Sequence, residues 1–158
     1  MATVFANLGA NIGPRRLNLS KAATLIGREF GEFELSHAVE SEPWGFDSAN
    51  SFLNIGIAFS SDRRPDEILA VLQDIERKIS PSSHRDADGR YADREIDIDI
   101  VAIDDLVIDT ETLKVPHPHL NERRFFLEPL NELAPNWRHP ISGLSPLDML
   151  YNLAAKEN

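Results

Sequence analysis

The order of apolar periods along the chain is the feature that most restricts its fold. Strand patterns, with alternation or strong β formers, occur over residues 3–8, 33–42, 52–59 and 95–103. Helical periods connect the first strand to the second, from Pro14 to about residue 30, and the third to the fourth, over residues 65–79. The resulting order, β-α-β-β-α-β, is that of ferredoxin-like α+β domains. The two consecutive strands in the middle predict an antiparallel pair.

The C-terminal third adds smaller elements to this core. A turn after the fourth strand leads into a brief strand over residues 106–108, and residues 121–133 are expected to hold one or two short helices. A last helix starts after Ser145, where a capping residue precedes a proline and an acid, and runs to about residue 156. We therefore expect a single domain over residues 1–158, a ferredoxin-like core with an added short strand or hairpin and C-terminal helices.

Composition limits the chemistry available to the chain. Cysteine is absent, which excludes disulfides, thiolate metal sites and thiol nucleophiles, so any catalysis must use carboxylates, His, Arg, Lys or hydroxyl groups. The formal charge of −10 argues against a nucleic-acid partner, because such binding depends on basic surfaces. Of the 16 basic residues, however, 12 are Arg, the side chain best suited to forked recognition of phosphate.

The sequence does not predict a membrane location. No apolar run approaches the roughly 20 residues that a membrane-spanning helix needs. The N-terminal segment MATVFANLGA also lacks the basic start and apolar run of a signal peptide. We expect a cytoplasmic protein that acts without a membrane partner.

Residues 94–100, Arg-Glu-Ile-Asp-Ile-Asp-Ile, are the most informative segment. Strand periodicity places the three isoleucines on one face and Asp97 and Asp99 on the other, with the two carboxylates about 7 Å apart. Asp is disfavoured in strands, and neighbouring like charges repel unless a cation lies between them. This pattern is typical of a site for a hard divalent ion such as Mg²⁺, although the solvent-exposed face of an amphipathic strand has the same spacing.

Arginines flank the acidic pair on both sides in the sequence. Some come from a long polar loop over residues 80–93 and its end, and others follow a Pro- and His-rich stretch at residues 115–120. They are Arg85, Arg90, Arg94, Arg123 and Arg124. Acids that hold Mg²⁺ near several arginines are the apparatus of phosphoryl transfer, where catalysis is mainly positioning and charge neutralisation. The alternative is that these arginines are ordinary solvated surface.

Three further motifs are less specific. His117 and His119 flank a proline, but no acid or third His at a convincing spacing completes a zinc site, so a hydrogen bond from histidine to phosphate is the more economical function. Residues 9–13 precede a helix but lack the Gly-Lys-Ser/Thr ending of a phosphate-binding loop, which favours a turn. The loop between the two middle strands is bracketed by Trp44, Phe46, Phe52 and Asn54. These aromatics either stack on a flat heterocycle or pack as partly buried side chains.

Several separate segments together indicate a known family. They are Asn7-Leu8-Gly9-Ala10-Asn11, Pro43-Trp44-Gly45, Phe52-Leu53-Asn54, Gln73 with Glu76, residues 94–100, Val115-Pro116-His117, Arg123 and Phe125. With these residues in this order, nearly the whole chain resembles the 6-hydroxymethyl-7,8-dihydropterin pyrophosphokinase family. The resemblance implies a ferredoxin-like transferase of folate biosynthesis. Such an enzyme moves a pyrophosphoryl group from ATP to the hydroxymethyl group of 6-hydroxymethyl-7,8-dihydropterin and releases AMP.

The resemblance also implies roles for individual residues. Asp97 and Asp99 would hold two Mg²⁺ ions that bridge the ATP phosphates, Asn54 would hydrogen-bond the pterin edge, and Phe125 and Tyr91 would stack on its ring. The residues expected to contact ATP are Gln73, Glu76, Arg85, Arg90, Arg94, Ile100, Lys114, His117 and Arg123. Those expected to contact the pterin are Trp44, Phe52, Asn54, Tyr91, Asp97 and Phe125. The implied catalytic set is Arg85, Arg94, Asp97 and Asp99.

The chain departs from the family mainly in the polar loop. Ser80-Pro81 replaces a Gly-Arg pair, about three residues are inserted, and Ala92-Asp93 replaces Gly-Pro. Tyr91 stands where the family usually has Trp, Lys114 where it usually has a small polar residue, and Thr112 where it often has Arg. We therefore expect altered nucleotide affinity and loop closure with the same chemistry.

Two other classes of function are compatible with parts of the sequence. An Asp-x-Asp nucleotidyltransferase or glycosyltransferase would release pyrophosphate or a nucleoside diphosphate instead of AMP. A ferredoxin-like binding module would have no catalysis, and its RNA-binding version would need exposed aromatics and a basic sheet face, where the central strand here has acids. For the pyrophosphokinase, we expect a monomer whose partners are ATP and the pterin.

Overall fold

The structure is a computed structural model, and it describes residues 1–42, 50–80 and 94–157. The strands of the main sheet are β1 (Ala2–Ala10), β2 (Phe33–Leu35), β3 (Val39–Ser41), β4 (Phe52–Ser61) and β5 (Asp97–Ile103). The helices are α1 (Arg15–Phe30), α2 (Pro65–Ile79), α3 (Arg124–Leu133) and α4 (Pro146–Glu157). After β5 come a small hairpin of β6 (Ile108–Asp109) and β7 (Lys114–Val115) and a short 3₁₀ helix, Leu120–Glu122.

The main sheet confirms the predicted ferredoxin-like topology. Its strands lie in the order β2-β4-β1-β5, and β3 pairs with β4 at the end that β2 leaves open. Each of these neighbouring pairs is antiparallel, including the expected pairing of the two middle strands. α1 and α2 each connect two strands that have one other strand between them in the sheet, which is the split βαβ arrangement.

The two faces of the sheet are covered differently. α1 and α2 pack their apolar sides on one face, against alternate residues of β1, β4 and β5 such as Leu8, Ile57 and Ile98. α3 and α4 pack on the opposite face, where Phe126 and Leu127 meet the far ends of β1 and β5 in a second apolar cluster. The near ends of β1, β4 and β5 on this second face hold the polar residues of the candidate site.

The predicted strand over residues 33–42 is broken into β2 and β3 by Ser36. The backbone N–H of Ser36 donates to the carbonyl of Gly56 at 2.9 Å, and the Ser36 hydroxyl accepts from the Gly56 N–H at 2.8 Å. A side-chain oxygen therefore takes the place of a backbone carbonyl in the ladder, which is how Ser interrupts regular structure. The single strand predicted here was wrong, since local alternation does not reveal such a substitution.

The remaining element predictions differ from the structure by small amounts. α2 has the predicted bounds, and the predicted last helix is α4, whose start is held by reciprocal bonds between Ser145 and Asp148 at 3.0 and 3.1 Å. β5 begins at Asp97 instead of residue 95, and the short strand expected over 106–108 is β6, displaced toward the C-terminus. Within the described ranges, no helix has both the length and the apolar character needed to cross a bilayer.

Candidate active site

Register within the sheet brings the predicted acids next to the predicted pterin residue. Gly9 in β1 is opposite both Asn54 in β4 and Asp97 in β5, and Asn7 is opposite Asp99. Directly opposed residues of neighbouring strands point to the same face, so these side chains share the face that α1 and α2 do not cover. The predicted separation of the acids from the isoleucines is confirmed, because Ile98 and Ile100 lie in the apolar core.

The acidic pair lies in an environment that disfavours two negative charges. Burial, followed by the charge of Asp97 and then that of Glu76, raises the pKa of Asp99 well above its usual range, and Arg123 opposes this rise. Burial and the Asp97 charge also raise the pKa of Glu76 to about 7, although its Oε2 accepts a hydrogen bond from the Ile98 N–H at 2.9 Å. Such repulsion favours binding of a cation between the carboxylates.

Arg94 is the cation that the structure places against these acids. Its Nη1 lies 2.7 Å from Asp97 Oδ1 and 3.8 Å from Glu76 Oε2, and its side chain is only 13% exposed. The Arg94 N–H donates to Asn11 Oδ1 at 2.6 Å, while the Arg94 carbonyl accepts from the N–H groups of Asn11 and Ile12. The turn predicted over residues 9–13 is therefore confined to residues 11–13, because Gly9 and Ala10 continue β1, and it holds the backbone of Arg94 shortly before β5.

His117 has a defined tautomer. Its Nδ1 accepts a hydrogen bond from the backbone N–H of His119 at 3.1 Å, so the proton of the neutral ring is on Nε2. Burial, with smaller effects from Arg123 and His119, lowers the pKa of His117 to about 3. The ring also packs edge-on against Phe126, with centroids 4.9 Å apart. His117 is therefore a neutral hydrogen-bond donor through Nε2.

Arg123 and Phe125 lie beside this histidine at the start of α3. The Arg123 guanidinium is 4.9 Å from the ring centre of Phe126 and 5.6 Å from that of Phe125. Phe125 packs edge-on against Phe126 and stays partly exposed. His119, in contrast, has its Nδ1 3.0 Å from Glu122 Oε2, so the two histidines face different partners.

Asn54 is held on three sides by other groups of the protein. Its Nδ2 donates to the Val39 carbonyl at 3.2 Å and to the Ser41 hydroxyl at 2.8 Å, and its Oδ1 accepts from Asn7 Nδ2 at 3.2 Å. Both N–H bonds of Asn54 are used, so any hydrogen bond from this amide to a ligand must use the second lone pair of Oδ1. A Cβ at position 9 would lie 3.1 Å from that oxygen, which is a tight contact. Glycine at this position therefore leaves room for the Asn54 amide.

The other residues predicted for ATP lie around this centre. Gln73 is exposed one turn before Glu76 on α2, and Ile100 has its side chain in the core beneath α2. Lys114 is exposed on the hairpin, 3.7 Å from Asp109, and lines a cleft of about 500 Å³ together with His117. Trp44, Arg85, Arg90 and Tyr91 lie outside the described residues.

Two residues of the site were not predicted from the sequence. Asn7 and Gly9 are part of the resemblance, but neither had been assigned a role. The signal was present for Asn7, because a polar side chain in the middle of an otherwise apolar buried strand needs a partner. In the described ranges, no group of three or more His, Asp or Glu side chains is arranged to hold a metal ion.

Comparison with known proteins gives consistent matches. A family model described as 7,8-dihydro-6-hydroxymethylpterin-pyrophosphokinase (HPPK) matches residues 5–135. The 2-amino-4-hydroxy-6-hydroxymethyldihydropteridine pyrophosphokinase of Aquifex aeolicus is 41% identical over 142 residues, which cover 89% of this chain and 86% of that protein. The enzyme of the same name from Porphyromonas gingivalis is 39% identical over 142 residues, covering 89% of this chain and 95% of that protein.

A solved structure extends the likeness to the fold. The HPPK-DHPS chain of Plasmodium falciparum aligns with a TM-score of 0.77 at 13% identity and covers 98% of this chain. This chain spans only 45% of that longer protein. At this identity the likeness establishes the fold alone.

Proposed function

Because the chain belongs to the 7,8-dihydro-6-hydroxymethylpterin-pyrophosphokinase family and is a pyrophosphokinase of folate biosynthesis, we propose that Asp97 and Asp99 form its catalytic centre. ATP is the co-substrate, and the acceptor is the hydroxymethyl group of 6-hydroxymethyl-7,8-dihydropterin. The observation that most supports this placement is the row of Asn54, Gly9 and Asp97 across three strands. It puts an acid suited to the phosphates beside an amide suited to a pterin.

The donor set at the acidic pair fits Mg²⁺. Mg²⁺ is bound through one or two carboxylates, with substrate phosphates and water completing its shell, and the described part of the chain offers Asp97 and Asp99 without a third ligand of the same kind. Two ions held there would lower the repulsion that raises the pKa of Asp99. When bound, Mg²⁺ withdraws charge from the phosphate oxygens and aligns the triphosphate.

Arginine and histidine side chains neutralise and orient the triphosphate. Arg94, already against Asp97, and Arg123, beside His117, are placed to face charge that develops on the phosphate oxygens. His117 donates through Nε2 without adding charge. Gln73, Glu76 and Lys114 complete the nucleotide contacts through their side chains, and Ile100 through its backbone, since its side chain lies in the core. We propose further contacts from Arg85 and Arg90 of the loop between α2 and β5, which lie outside the described residues.

The pterin lies between aromatic rings with its edge on Asn54. Phe52 and Phe125 are partly exposed, and Phe52 shares the sheet face of Asn54. Trp44 and Tyr91 are proposed to supply the remaining contacts, Tyr91 from the opposite side of the ring.

The proposed reaction is a direct displacement. The hydroxymethyl oxygen forms a bond to the β-phosphorus of ATP, the bond from that phosphorus to the bridging oxygen of the α-phosphate breaks, and AMP leaves with that oxygen. The hydroxyl proton passes to Asp97 or to water. Holding both substrates on one sheet face provides the proximity that such a step requires.

The decisive assay is product identification. The purified protein is incubated with ATP, Mg²⁺ and the reduced pterin alcohol, and the products are separated. We expect AMP and a diphosphorylated pterin in equal amounts. Formation of ADP, release of pyrophosphate, or AMP without pterin would contradict the assignment, and omission of pterin is the control for ATP hydrolysis.

We further propose that the enzyme acts as a single-domain monomer in the cytoplasm. Two features support one domain: β1, β4 and β5 form one continuous sheet, and the helices pack on it from both sides. Sedimentation of the active protein at assay concentration tests the monomer, because a stable dimer would sediment at twice the mass.

A further inference from the structure

Asn7 is a buried polar side chain to which the proposed chemistry assigns no role. It lies in the middle of β1, is 3% exposed, and has apolar core residues on both sides in the chain. Its Nδ2 donates to Asn54 Oδ1 at 3.2 Å, while its Oδ1 is buried and has no hydrogen-bond partner in the described structure. A buried polar atom without a partner is costly, so it needs an explanation.

The orientation of both amides follows from one backbone carbonyl. The Val39 carbonyl can only accept, so the group of Asn54 that faces it must be the NH₂ group. Asn54 Oδ1 then faces Asn7, and the group of Asn7 that meets it must also be NH₂. This chain of bonds leaves Asn7 Oδ1 as the end without a hydrogen-bond partner among residues 1–42, 50–80 and 94–157.

The result is a pair of amide oxygens on one sheet face. Asn54 has no free N–H, and the one N–H of Asn7 that has an identified partner is spent on Asn54. Two acceptors side by side are complementary to two donors, and the 2-amino end of a 2-amino-4-oxopterin presents an NH₂ group next to a ring N–H.

We propose that Asn7 is a positioning and specificity residue for the pterin. It holds the Asn54 amide with its oxygen toward the substrate, and its own Oδ1 accepts a second hydrogen bond from the donors at the 2-amino end. This inference rests on the proposed function, since it concerns how that site recognises its acceptor substrate. The alternative is that Asn7 only stabilises the sheet.

Steady-state kinetics of Asn7→Ser and Asn7→Ala test the proposal. We expect the KM for pterin to rise about tenfold, with the KM for ATP unchanged. A second substrate, in which hydrogen replaces the 2-amino group, separates recognition from stability. Wild type should discriminate against it, and the variants should lose most of that discrimination.

Asn18→Ala is the matched control. Asn18 in α1 is equally buried, at 4% exposed, and also has a side-chain atom without a partner, but it belongs to the opposite side of the sheet. We expect it to lower the melting temperature without changing the pterin KM. If the Asn7 variants behave like Asn18→Ala, with lower stability and unchanged pterin KM and discrimination, the proposal is wrong.

A double-mutant cycle tests whether Asn7 acts on the pterin through Asn54. It uses Asn7→Ser, so it does not require Asn7→Ala to fold. Ser41→Ala releases one N–H of Asn54, so its effect on pterin KM should depend on whether Asn7 or Ser occupies position 7. Additive effects would overturn positioning through Asn54. Failure of the proposed function is distinguishable, because wild type would then make no AMP with either pterin.

Discussion

Asp99 illustrates, at the scale of one residue, how a site can cost stability. Burial, followed by the charges of Asp97 and Glu76, raises the pKa of the Asp99 carboxyl well above the usual range. The charged form that a metal site needs is therefore the form that the fold disfavours. Activity and stability should respond in opposite directions to its neutralisation.

We predict that Asp99→Asn melts at a higher temperature than wild type and loses activity by about 100-fold or more, because Mg²⁺ alignment of phosphates contributes several kcal/mol. Thermal denaturation and AMP release measure the two effects. The control is Asp97→Asn, which also loses activity but breaks the 2.7 Å pair with Arg94 and should gain no stability. A lower melting temperature for Asp99→Asn would contradict the prediction.

His117 gives a prediction on pH. Its pKa is lowered from 6.5 to about 3 in the folded protein, so below pH 6.5 the unfolded chain binds a proton that the folded chain does not. The contribution of His117 to stability should therefore fall as pH decreases, by about 1.4 kcal/mol per pH unit between pH 6 and 4, whereas the raised pKa values of Glu76 and Asp99 act in the opposite direction. Urea denaturation of wild type and of His117→Asn, whose oxygen can still accept from His119, isolates this contribution, because both proteins keep the two acids. The stability of the variant relative to wild type should rise as pH falls from 6 to 4. A constant difference would show that His117 does not contribute in this way.

At the scale of elements, the register of β1 against β4 sets the space available to the Asn54 amide, which is proposed to bind the pterin. Gly9 is opposite Asn54, and a Cβ there would lie 3.1 Å from Asn54 Oδ1 and 3.4 Å from Phe52 Cδ1. The contact with Asn54 Oδ1 is tight, whereas that with Phe52 Cδ1 is at the limit of an ordinary van der Waals contact, so Asn54 would move by a few tenths of an ångström and Phe52 by less.

We predict that Gly9→Ala raises the KM for pterin about tenfold, because small displacements of positioning groups have large kinetic effects. Its cost in unfolding free energy should be only about 1 kcal/mol, since the side chains can yield. Kinetics and urea denaturation on the same preparation separate the two quantities. An unchanged pterin KM would mean that the Asn54 and Phe52 positions do not matter to binding.

At the scale of the whole molecule, α3 must approach the sheet closely for the site to form. Gly56 in β4 lies under this helix, and a Cβ there would be 2.7 Å from Pro129 Cβ and 3.2 Å from Leu133 Cδ1. Arg123 and Phe125 stand at the start of the same helix, so its docking sets their distance from the acids.

We predict that Gly56→Ala destabilises the protein by about 2 kcal/mol, because the added Cβ meets the Cβ of Pro129, which the proline ring fixes to the backbone of α3 and which cannot move aside as a flexible side chain does. It should also raise KM for both substrates, in contrast to Gly9→Ala. Gly143→Asn is the control, since Gly143 has no atoms within 4 Å of its added Cβ and Asn tolerates its φ of 76°. Full stability of Gly56→Ala would show that α3 docks more loosely than the structure indicates.

Many of the secondary-structure elements could be predicted because the sequence signals that specify them are local. The Pro65 start and apolar side of α2, the Ser145 cap of α4, and the alternation of Ile and Asp in β5 depend on neighbours within a few residues. The strand order followed because the split βαβ order restricts how four strands can be arranged.

What the sequence by itself determined is the set of elements, the face that carries Asp97 and Asp99, and the family. Tertiary structure alone decided the break at Ser36, the tautomer of His117 and the opposition of Gly9 to both Asn54 and Asp97. It also decided that both N–H bonds of Asn54 are spent, so that this amide can only accept a further hydrogen bond. The physical reason is that hydrogen-bond direction and burial depend on partners tens of residues away, and these become neighbours only when the sheet has formed.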